Sequence, residues 1–318
     1  MVGKKYKPAS RPTMYFIGVS TSRSSIMSVF PEWASFLKLG DCELQGIDFP
    51  LHADAKEYRE AVRFIKDDPL SLGALVTTHK IDLMRACRDQ FDEMDGCARL
   101  LGEVSGISKR DGRLVGHAKD PITSGLALEA FLPPGWWERT GAEVLLMGAG
   151  GSSLALSEYL LKNAYQGARP SRIIVTNRSA ARLGEMRRIH AGLSRSVPVD
   201  YRLAPSPADN DRSVNALKPC SLVVNGTGLG KDAPGSPITG AAVFPEGGCA
   251  WDFNYRGTLV FLEQARAQRE ARRLTIEDGW AYFIHGWTQV IAEVFHREIP
   301  PRGPVFEEIS AIAARHRA

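Results

Sequence analysis

An α/β fold in two domains is predicted by three observations. Short apolar runs of strand length alternate with longer helical patterns along most of the chain, as in parallel sheets covered by helices. The segment Phe131-Leu-Pro-Pro-Gly-Trp-Trp-Glu-Arg-Thr-Gly141 interrupts that alternation, because Pro-Pro-Gly ends regular structure. Directly after it, Val144-Leu-Leu-Met-Gly148-Ala-Gly150-Gly-Ser-Ser153 reads as a strand running into a glycine-rich turn and a helix. A length of 318 residues agrees with two domains of about 150 residues each.

Taken in order, Met14–Val19 is the first expected strand, followed by a helix around Phe30–Leu39. Leu44–Phe49 and Leu72–Val76 are further strands, with helices at Tyr58–Ile65 and Ile81–Met94. After the Pro-Pro-Gly break, Val144–Met147 begins a second series: helix Ser153–Asn163, strand Arg172–Thr176, helix Ala180–Leu193 and strand Leu222–Val224. Cys249–Phe253 is expected as the last buried strand, and the chain from about Leu259 to Arg317 as mostly helical. The run Arg266–Arg273 reads as a solvated helix face.

Composition removes several classes. Hydrophobic residues make up 44% and charged residues 24%, with a net charge of +4, ordinary values for a globular chain. So mild and evenly spread a balance does not suggest a nucleic-acid partner. No run approaches the ~18 apolar residues of a spanning helix, and Met1-Val-Gly-Lys-Lys-Tyr-Lys7 is not followed by a signal-peptide core. No membrane partner and a cytoplasmic location are therefore expected. The five cysteines (42, 87, 97, 220, 249) and seven histidines show no metal-ligand spacing, so no metal is expected and the thiols read as small apolar fillers.

The glycine-rich turn carries the chemistry. Gly148 permits a tight turn, Gly150 and Gly151 let the backbone approach a pyrophosphate, and small Ser152 and Ser153 open a helix whose free N–H groups face an anion. The next strand selects the dinucleotide. An acid near its end would bind a ribose 2′-hydroxyl, but here Asn177-Arg178-Ser179 follows, with Arg182 one turn later. Arginine forks match a 2′-phosphate, so NADP is the expected cofactor. Val223-Val-Asn225-Gly-Thr227-Gly228-Leu-Gly230 is a third strand leading into a small-residue loop suited to the nicotinamide half.

The order of these motifs resembles the shikimate dehydrogenase family. Gly18-Val-Ser-Thr-Ser22-Arg-Ser24-Ser-Ile26 stands where the family has G-x-P-x-x-H-S-x-S, and Leu75-Val-Thr77-Thr-His-Lys80 where it has N-V-T-x-P-x-K. Gly102-Glu-Val-Ser105 resembles G-A-V-N, and Gly116-His-Ala-Lys119-Asp120 resembles G-x-N-T-D. Asn177-Arg178-Ser179 matches N-R-T, and Asn225-Gly-Thr227-Gly-Leu-Gly230 matches N-x-T-x-x-G. Asp252-Phe-Asn-Tyr255 resembles D-x-x-Y, and Gln289 stands three places late for the family's glutamine.

The resemblance implies an N-terminal substrate domain over residues 1–132, a doubly wound, Rossmann-type NADP-binding domain over 133–276, and C-terminal helices over 277–318 returning to the first. It implies Lys80 and Asp120 as the catalytic pair, since an ammonium can protonate and stabilise a developing alkoxide while a carboxylate orients it. It implies Ser22, Ser24, Thr77, Ser105, Lys119, Tyr255 and Gln289 as substrate contacts. Ile26 and Leu75 replace a family serine and asparagine, Ser105 replaces an asparagine, and Lys119 replaces a threonine. Lys119 could hold a carboxylate or pair with Asp120, and Ser22 with Ser24 could restore the two hydroxyls in a shifted register.

Read on its own, Lys80 is also explicable as a surface lysine starting a helix capped by Thr77 or Thr78, and Asp120 as a turn-forming Asp-Pro. The expectation is an NADP(H)-dependent alcohol dehydrogenase, similar to shikimate 3-dehydrogenase, acting on a carboxylated ring compound through an altered pocket. A non-catalytic NADP(H)-binding sensor or interaction protein is the alternative, and the two-domain folate-linked methylene dehydrogenases fit the motif order less well. A homodimer is left open.

Overall fold

The computed structural model describes residues 6–162, 169–193, 197–231 and 233–317. Met1–Lys5, and Asn163 at the end of one expected helix, lie outside the described residues. The chain divides into two compact units, one of residues 1–119 and 284–318 and the other of residues 120–283. The division therefore falls ahead of the Pro-Pro-Gly segment.

In the first unit the chain forms β1 (Thr13–Gly18), α1 (Ile26–Phe36), β2 (Glu43–Asp48), α2 (Ala55–Asp67), β3 (Ser71–Val76) and α3 (Lys80–Cys87). It continues through β4 (Glu93–Met94), α4 (Gly96–Leu101), β5 (Gly106–Arg110) and β6 (Arg113–His117). The sheet order is β2-β1-β3-β5-β6-β4. Sequence periodicity explains α2 directly: Tyr58, Ala61, Val62 and Ile65 are all at most 1% exposed and recur on one helical face, while Asp54 caps it by accepting from the Lys56 N–H at 2.7 Å. That face packs on Tyr15, Ile17, Ala74 and Val76. Alternation turns Phe16 and its register partner Leu75 to the opposite sheet face.

Three expectations for this unit are corrected. The helix expected over Ile81–Met94 ends at Cys87, because distant partners claim the residues beyond it: Arg59 binds Asp89 at 2.8 Å, and Asp92 accepts from the Leu114 N–H at 2.8 Å. The helix expected at Phe30–Leu39 starts four residues earlier, at Ile26. The sheet is also not wholly parallel, since β5 runs antiparallel to both β3 and β6. The hairpin turns on Asp111 and Gly112, with φ of 52° and 74°. Asp-Gly is the two-residue turn that matches strand twist, so the signal was present in the sequence.

Gly73 lies where the β1–β3 register shifts, with φ of 145° and a hypothetical Cβ only 2.1 Å from the Ile107 carbonyl oxygen. A bulge with a positive φ demands glycine. Gly73→Ala should cost about 2–4 kcal/mol of stability, read as a lower urea midpoint at unchanged slope; an unmoved midpoint refutes the bulge.

The second unit begins with α5 (Asp120–Phe131), α6 (Trp136–Thr140), β7 (Val144–Met147), α7 (Gly151–Lys162), β8 (Ile173–Asn177) and α8 (Ala180–His190). There follow β9 (Val199–Leu203), α9 (Pro207–Asn215), β10 (Leu222–Asn225), β11 (Cys249–Asp252), α10 (Val260–Ala267), α11 (Arg269–Arg272) and β12 (Thr275–Glu277). β11 is the last buried strand, as expected; β12 beyond it has no buried residue. All strand pairs here are parallel, and the order β9-β8-β7-β10-β11-β12 is the 3-2-1-4-5-6 order of a doubly wound sheet. Helix α5 packs on α7; a Cβ on Gly125 would stand 2.3 Å from the Tyr159 ring, so the approach requires glycine.

Helix α12 (Trp280–Val294) leads out of the second unit, and its later turns with α13 (Pro304–Ala314) belong to the first. There Trp287 meets Phe16 edge-on at 4.9 Å, and Trp33 of α1 donates to the Ile309 carbonyl of α13 at 2.9 Å. No helix among the described residues is long and apolar enough to cross a membrane. Cys87 and Cys249 are buried free thiols.

Candidate active site

In the first unit, strand direction gathers the candidate residues at one sheet edge. β1 and β3 are parallel, and β6, antiparallel to β5, points the same way as β3. The segments after β1 (Ser22, Ser24), after β3 (Thr77, Lys80), before β5 (Ser105) and after β6 (Lys119) therefore share the carboxyl edge of these strands, where open α/β sheets bind ligands. Backbone bonds hold the edge: Val76 N–H donates to the Ser105 carbonyl at 2.9 Å, and Thr77 N–H to the Ile17 carbonyl at 2.9 Å.

Lys80 is half-buried and opens α3. Neither Thr77 nor Thr78 caps that helix; His79 stands at the N-cap position without a side-chain bond to it. His79 is buried, with Nδ1 2.9 Å from the Tyr58 hydroxyl. Burial lowers its pKa, so the neighbour of Lys80 carries no charge at neutral pH. Thr78 takes φ of 60°, which turns the chain from β3 into α3.

Lys119 is paired within the first unit. Its Nζ donates to the Glu293 carboxylate of α12, while its N–H donates to Ser105 Oγ at 2.8 Å. Ser105 is 3% exposed, and its hydroxyl holds the turn after β6. Glu293 also lies 3.9 Å from His117 Nε2, and His117 Nδ1 lies 3.7 Å from Asp95. Burial raises the Asp95 pKa, but the hydrogen bonds from His117 and from the N–H groups of Ala98 and Ala118 outweigh it and leave Asp95 below the usual carboxylate value. Sequence reasoning missed Glu293, His117 and Asp95; Glu293 follows Gln289 at the i+4 spacing of one helix face, which was the available signal. Gln289 is half-buried on that face.

Ile26 is fully buried at the start of α1, which leaves Ser22, exposed, and Ser24, half-buried, as the hydroxyls of this segment. Leu75 is 8% exposed on the Phe16 face. In the second unit Asp120 is the first residue of α5 and is 7% exposed. Tyr255 packs against Trp280 at 5.2 Å and Phe283 at 4.9 Å, in an aromatic cluster of its own.

The nucleotide elements meet at the point where the strand order reverses, between β7 and β10. Gly148 has φ of 102°, and a Cβ there would stand 2.8 Å from the Gly226 carbonyl; Gly226 N–H in turn donates to the Met147 carbonyl at 2.8 Å. A Cβ on Gly226 would collide with Ser153 Oγ at 2.1 Å, so the small residues interlock the two loops. Gly150 differs: no atom lies within 4 Å of its hypothetical Cβ, which is open space in front of the α7 N-terminus. Gly151, Ser152 and Ser153 form that terminus, whose first N–H groups lack intrahelical acceptors.

At the end of β8, Asn177 takes the place where an acid would meet a 2′-hydroxyl. Ser179 caps α8, accepting from the Arg182 N–H at 3.4 Å. Arg182 is held by Glu185 at 2.9 Å in an exposed pair, a weak tie of at most about 1 kcal/mol. Arg178 is exposed and makes no ion pair among the described residues. Open backbone at Gly150, a free helix terminus and a free guanidinium fit a phosphorylated dinucleotide.

Fold and site define a protein with a doubly wound dinucleotide-binding unit joined to a second α/β unit. No family model matches the chain. The shikimate dehydrogenase (NADP(+)) of Symbiobacterium thermophilum is 30% identical over 224 residues, covering 68% of this chain and 68% of that one. The enzyme of the same name from Lactococcus lactis subsp. cremoris is 27% identical over 179 residues, 56% of this chain, and the match spans only 59% of its length. Among solved structures, shikimate dehydrogenase from Aquifex aeolicus superposes with a TM-score of 0.73 at 17% identity, covering 98% of this chain and 99% of that one. The chain belongs to the shikimate dehydrogenase family.

Proposed function

We propose that the protein is an NADP(H)-dependent oxidoreductase acting on a secondary alcohol or ketone of a carboxylated ring compound, through a pocket altered from the family pattern. The observation that carries this reading is the meeting of the Gly148–Ser153 turn and the Asn225–Gly230 loop at the switch point of a 3-2-1-4-5-6 sheet, with Arg178 following the next strand. The names of the relatives, which specify NADP(+), support the same cofactor.

The cofactor supplies or accepts the hydride at its nicotinamide ring. The N–H groups of Gly150–Ser153 bind the pyrophosphate, Arg178 and Arg182 take the 2′-phosphate, and Asn225, Thr227 and Gly228 border the nicotinamide half. Lys80 donates the proton to the carbonyl oxygen in reduction and accepts it in oxidation, and the family resemblance assigns Asp120 as the catalytic carboxylate. Because Glu293 already neutralises Lys119, the substrate acid falls to the hydroxyls of Ser22, Ser24 and Thr77. Ser105, Tyr255 and Gln289 are assigned to the remaining ring contacts. Buried Ile26 and apolar Leu75 withdraw two polar contacts of the family pattern, which disfavours shikimate itself, since unmet hydroxyl contacts discriminate strongly.

The two arginines offer a test. Arg178→Asp should lower the preference for NADP+ over NAD+ by about 10- to 100-fold, the size of a lost charge-assisted contact, measured by titration calorimetry. An unchanged preference removes Arg178 from the site. Turnover of a panel of ring hydroxy acids with NADP+ separates this enzyme from a non-catalytic NADP(H) sensor, which would bind and not react.

A further inference from the structure

The second unit holds a buried carboxylate to which the proposed reaction assigns no task. Asp252, at the end of β11, is fully buried, and no cation contacts it among the described residues. Its Oδ2 accepts from Asn225 Nδ2 at 2.8 Å. Its Oδ1 accepts from the Asn254 N–H and from Asn254 Nδ2, both at 2.8 Å. From there the bonds run on into the loop after β10. Asn225 Oδ1 accepts from the Thr227 N–H at 3.0 Å and from Thr227 Oγ1 at 2.6 Å. Thr227 Oγ1 then accepts from the Leu229 N–H at 3.2 Å, and Asn254 Nδ2 donates to the Thr227 carbonyl at 3.1 Å.

The direction of this chain is forced. A backbone N–H can only donate, so the Asn225 atom facing Thr227 must be the amide oxygen. The amide nitrogen then faces Asp252, which must accept. A carboxylate meets that requirement at both oxygens, and one group at position 252 thereby dictates how Asn225, Asn254 and Thr227 are oriented. A side-chain amide at 252 cannot: with its oxygen toward Asn254, its nitrogen meets the nitrogen of Asn225. If Asn225 turns over to relieve that, the Thr227 N–H loses its buried acceptor.

We propose that Asp252 is a positioning residue for the nicotinamide end of the cofactor, acting through Asn225 and Asn254 to fix the Thr227–Gly230 loop. The proposal rests on the reading that this loop borders the nicotinamide. An acceptor-only group with no cation beside it is costly to bury: desolvation pushes the Asp252 pKa up to about 6, with the Asp278 carboxylate adding to the rise and the amide hydrogen bonds opposing it. Retaining a carboxylate here at that cost is accounted for by the orientation it imposes.

The experiment compares two ligands of one site: NADPH, and adenosine 2′,5′-bisphosphate, which lacks the nicotinamide. With Asp252→Asn, NADPH affinity should fall about tenfold, as expected for one buried hydrogen bond left unmade, while bisphosphate affinity stays within about twofold. The double variant Asp252→Asn/Asn225→Asp reverses the polarity of the bond between 225 and 252 and keeps the Thr227 and Asn254 donors facing acceptors, giving up only the 3.4 Å bond from Asn225 Nδ2 to the Leu229 carbonyl, so it should recover part of the NADPH affinity. Thr227→Val, which leaves the buried carboxylate untouched, should show the same selective loss and serves if Asp252→Asn does not fold. Equal weakening of both ligands, or a double variant no better than the single one, overturns the positioning role. Wild-type protein that holds neither ligand overturns the cofactor reading itself, and the assigned role of Asp252 with it.

Discussion

Lys80→Met is expected to lower the turnover number by about 10²–10⁴-fold, the usual contribution of a positioned proton donor, with NADPH affinity within about twofold of the wild type. Methionine keeps the length and helix propensity of lysine and removes the ammonium. The substitution spares the fold for a second reason. Lys80 opens α3, where a cation opposes the helix dipole by about 0.3–1 kcal/mol, which offsets part of the stability lost with the ammonium. A large drop in kcat with little change in thermal midpoint therefore separates catalysis from folding. A surface lysine at a helix start would leave both unchanged, and that outcome removes Lys80 from the mechanism.

Acid should destabilise both units between pH 6.5 and 4. His190 and His285 each have a pKa lowered to about 4, His190 by burial alone and His285 by burial with a further contribution from Arg302. Burial favours the neutral form of His190, and its partners accommodate it. Ser157 Oγ donates to the Leu154 carbonyl at 2.8 Å and so accepts from His190 Nε2 at 2.9 Å, which leaves Nδ1 to accept from the Tyr201 hydroxyl at 2.6 Å. His285 stacks on Phe306 at 4.3 Å, and its Nδ1 is buried without a partner.

With folded values below the unfolded 6.5, the unfolded chain binds more protons in that window, and stability is lost as pH falls. At pH 5 each histidine withdraws about 2 kcal/mol. Asp252 acts in the opposite sense, because its raised value favours protonation in the fold; it returns about 1 kcal/mol at pH 5. The histidines win, with a net loss of about 3 kcal/mol across the two units. Urea midpoints at pH 7.5 and 5.0 measure this, and His190→Asn/His285→Asn should flatten the difference. Equal midpoints in the wild type would contradict the burial argument.

Local patterns carried much of the fold. The 3.6-residue spacing of Tyr58, Ala61, Val62 and Ile65 specified α2, and the glycine pattern after Val144–Met147 specified the nucleotide turn at its observed place. The Asp111-Gly112 hairpin had an equally local signal, masked by the helix–strand alternation around it. Helix α3 was not legible at its end, because Arg59–Asp89 and Asp92–Leu114, which draw the chain out of it, join residues 30 and 22 positions apart.

By itself the sequence determined the α/β class, the dinucleotide turn with its missing acid at Asn177, and the order of motifs that includes Lys80 and Asp120. These are properties of single residues and short spacings, where glycine conformation, helix periodicity and side-chain charge act locally. Tertiary structure alone decided the partners of the charged and polar groups. Lys119 went to Glu293, 174 residues away. Asp252 went to Asn225 and Asn254, and through them to Thr227. A buried donor or acceptor is satisfied by whatever the packed elements bring within about 3 Å, and no local pattern encodes which element that will be.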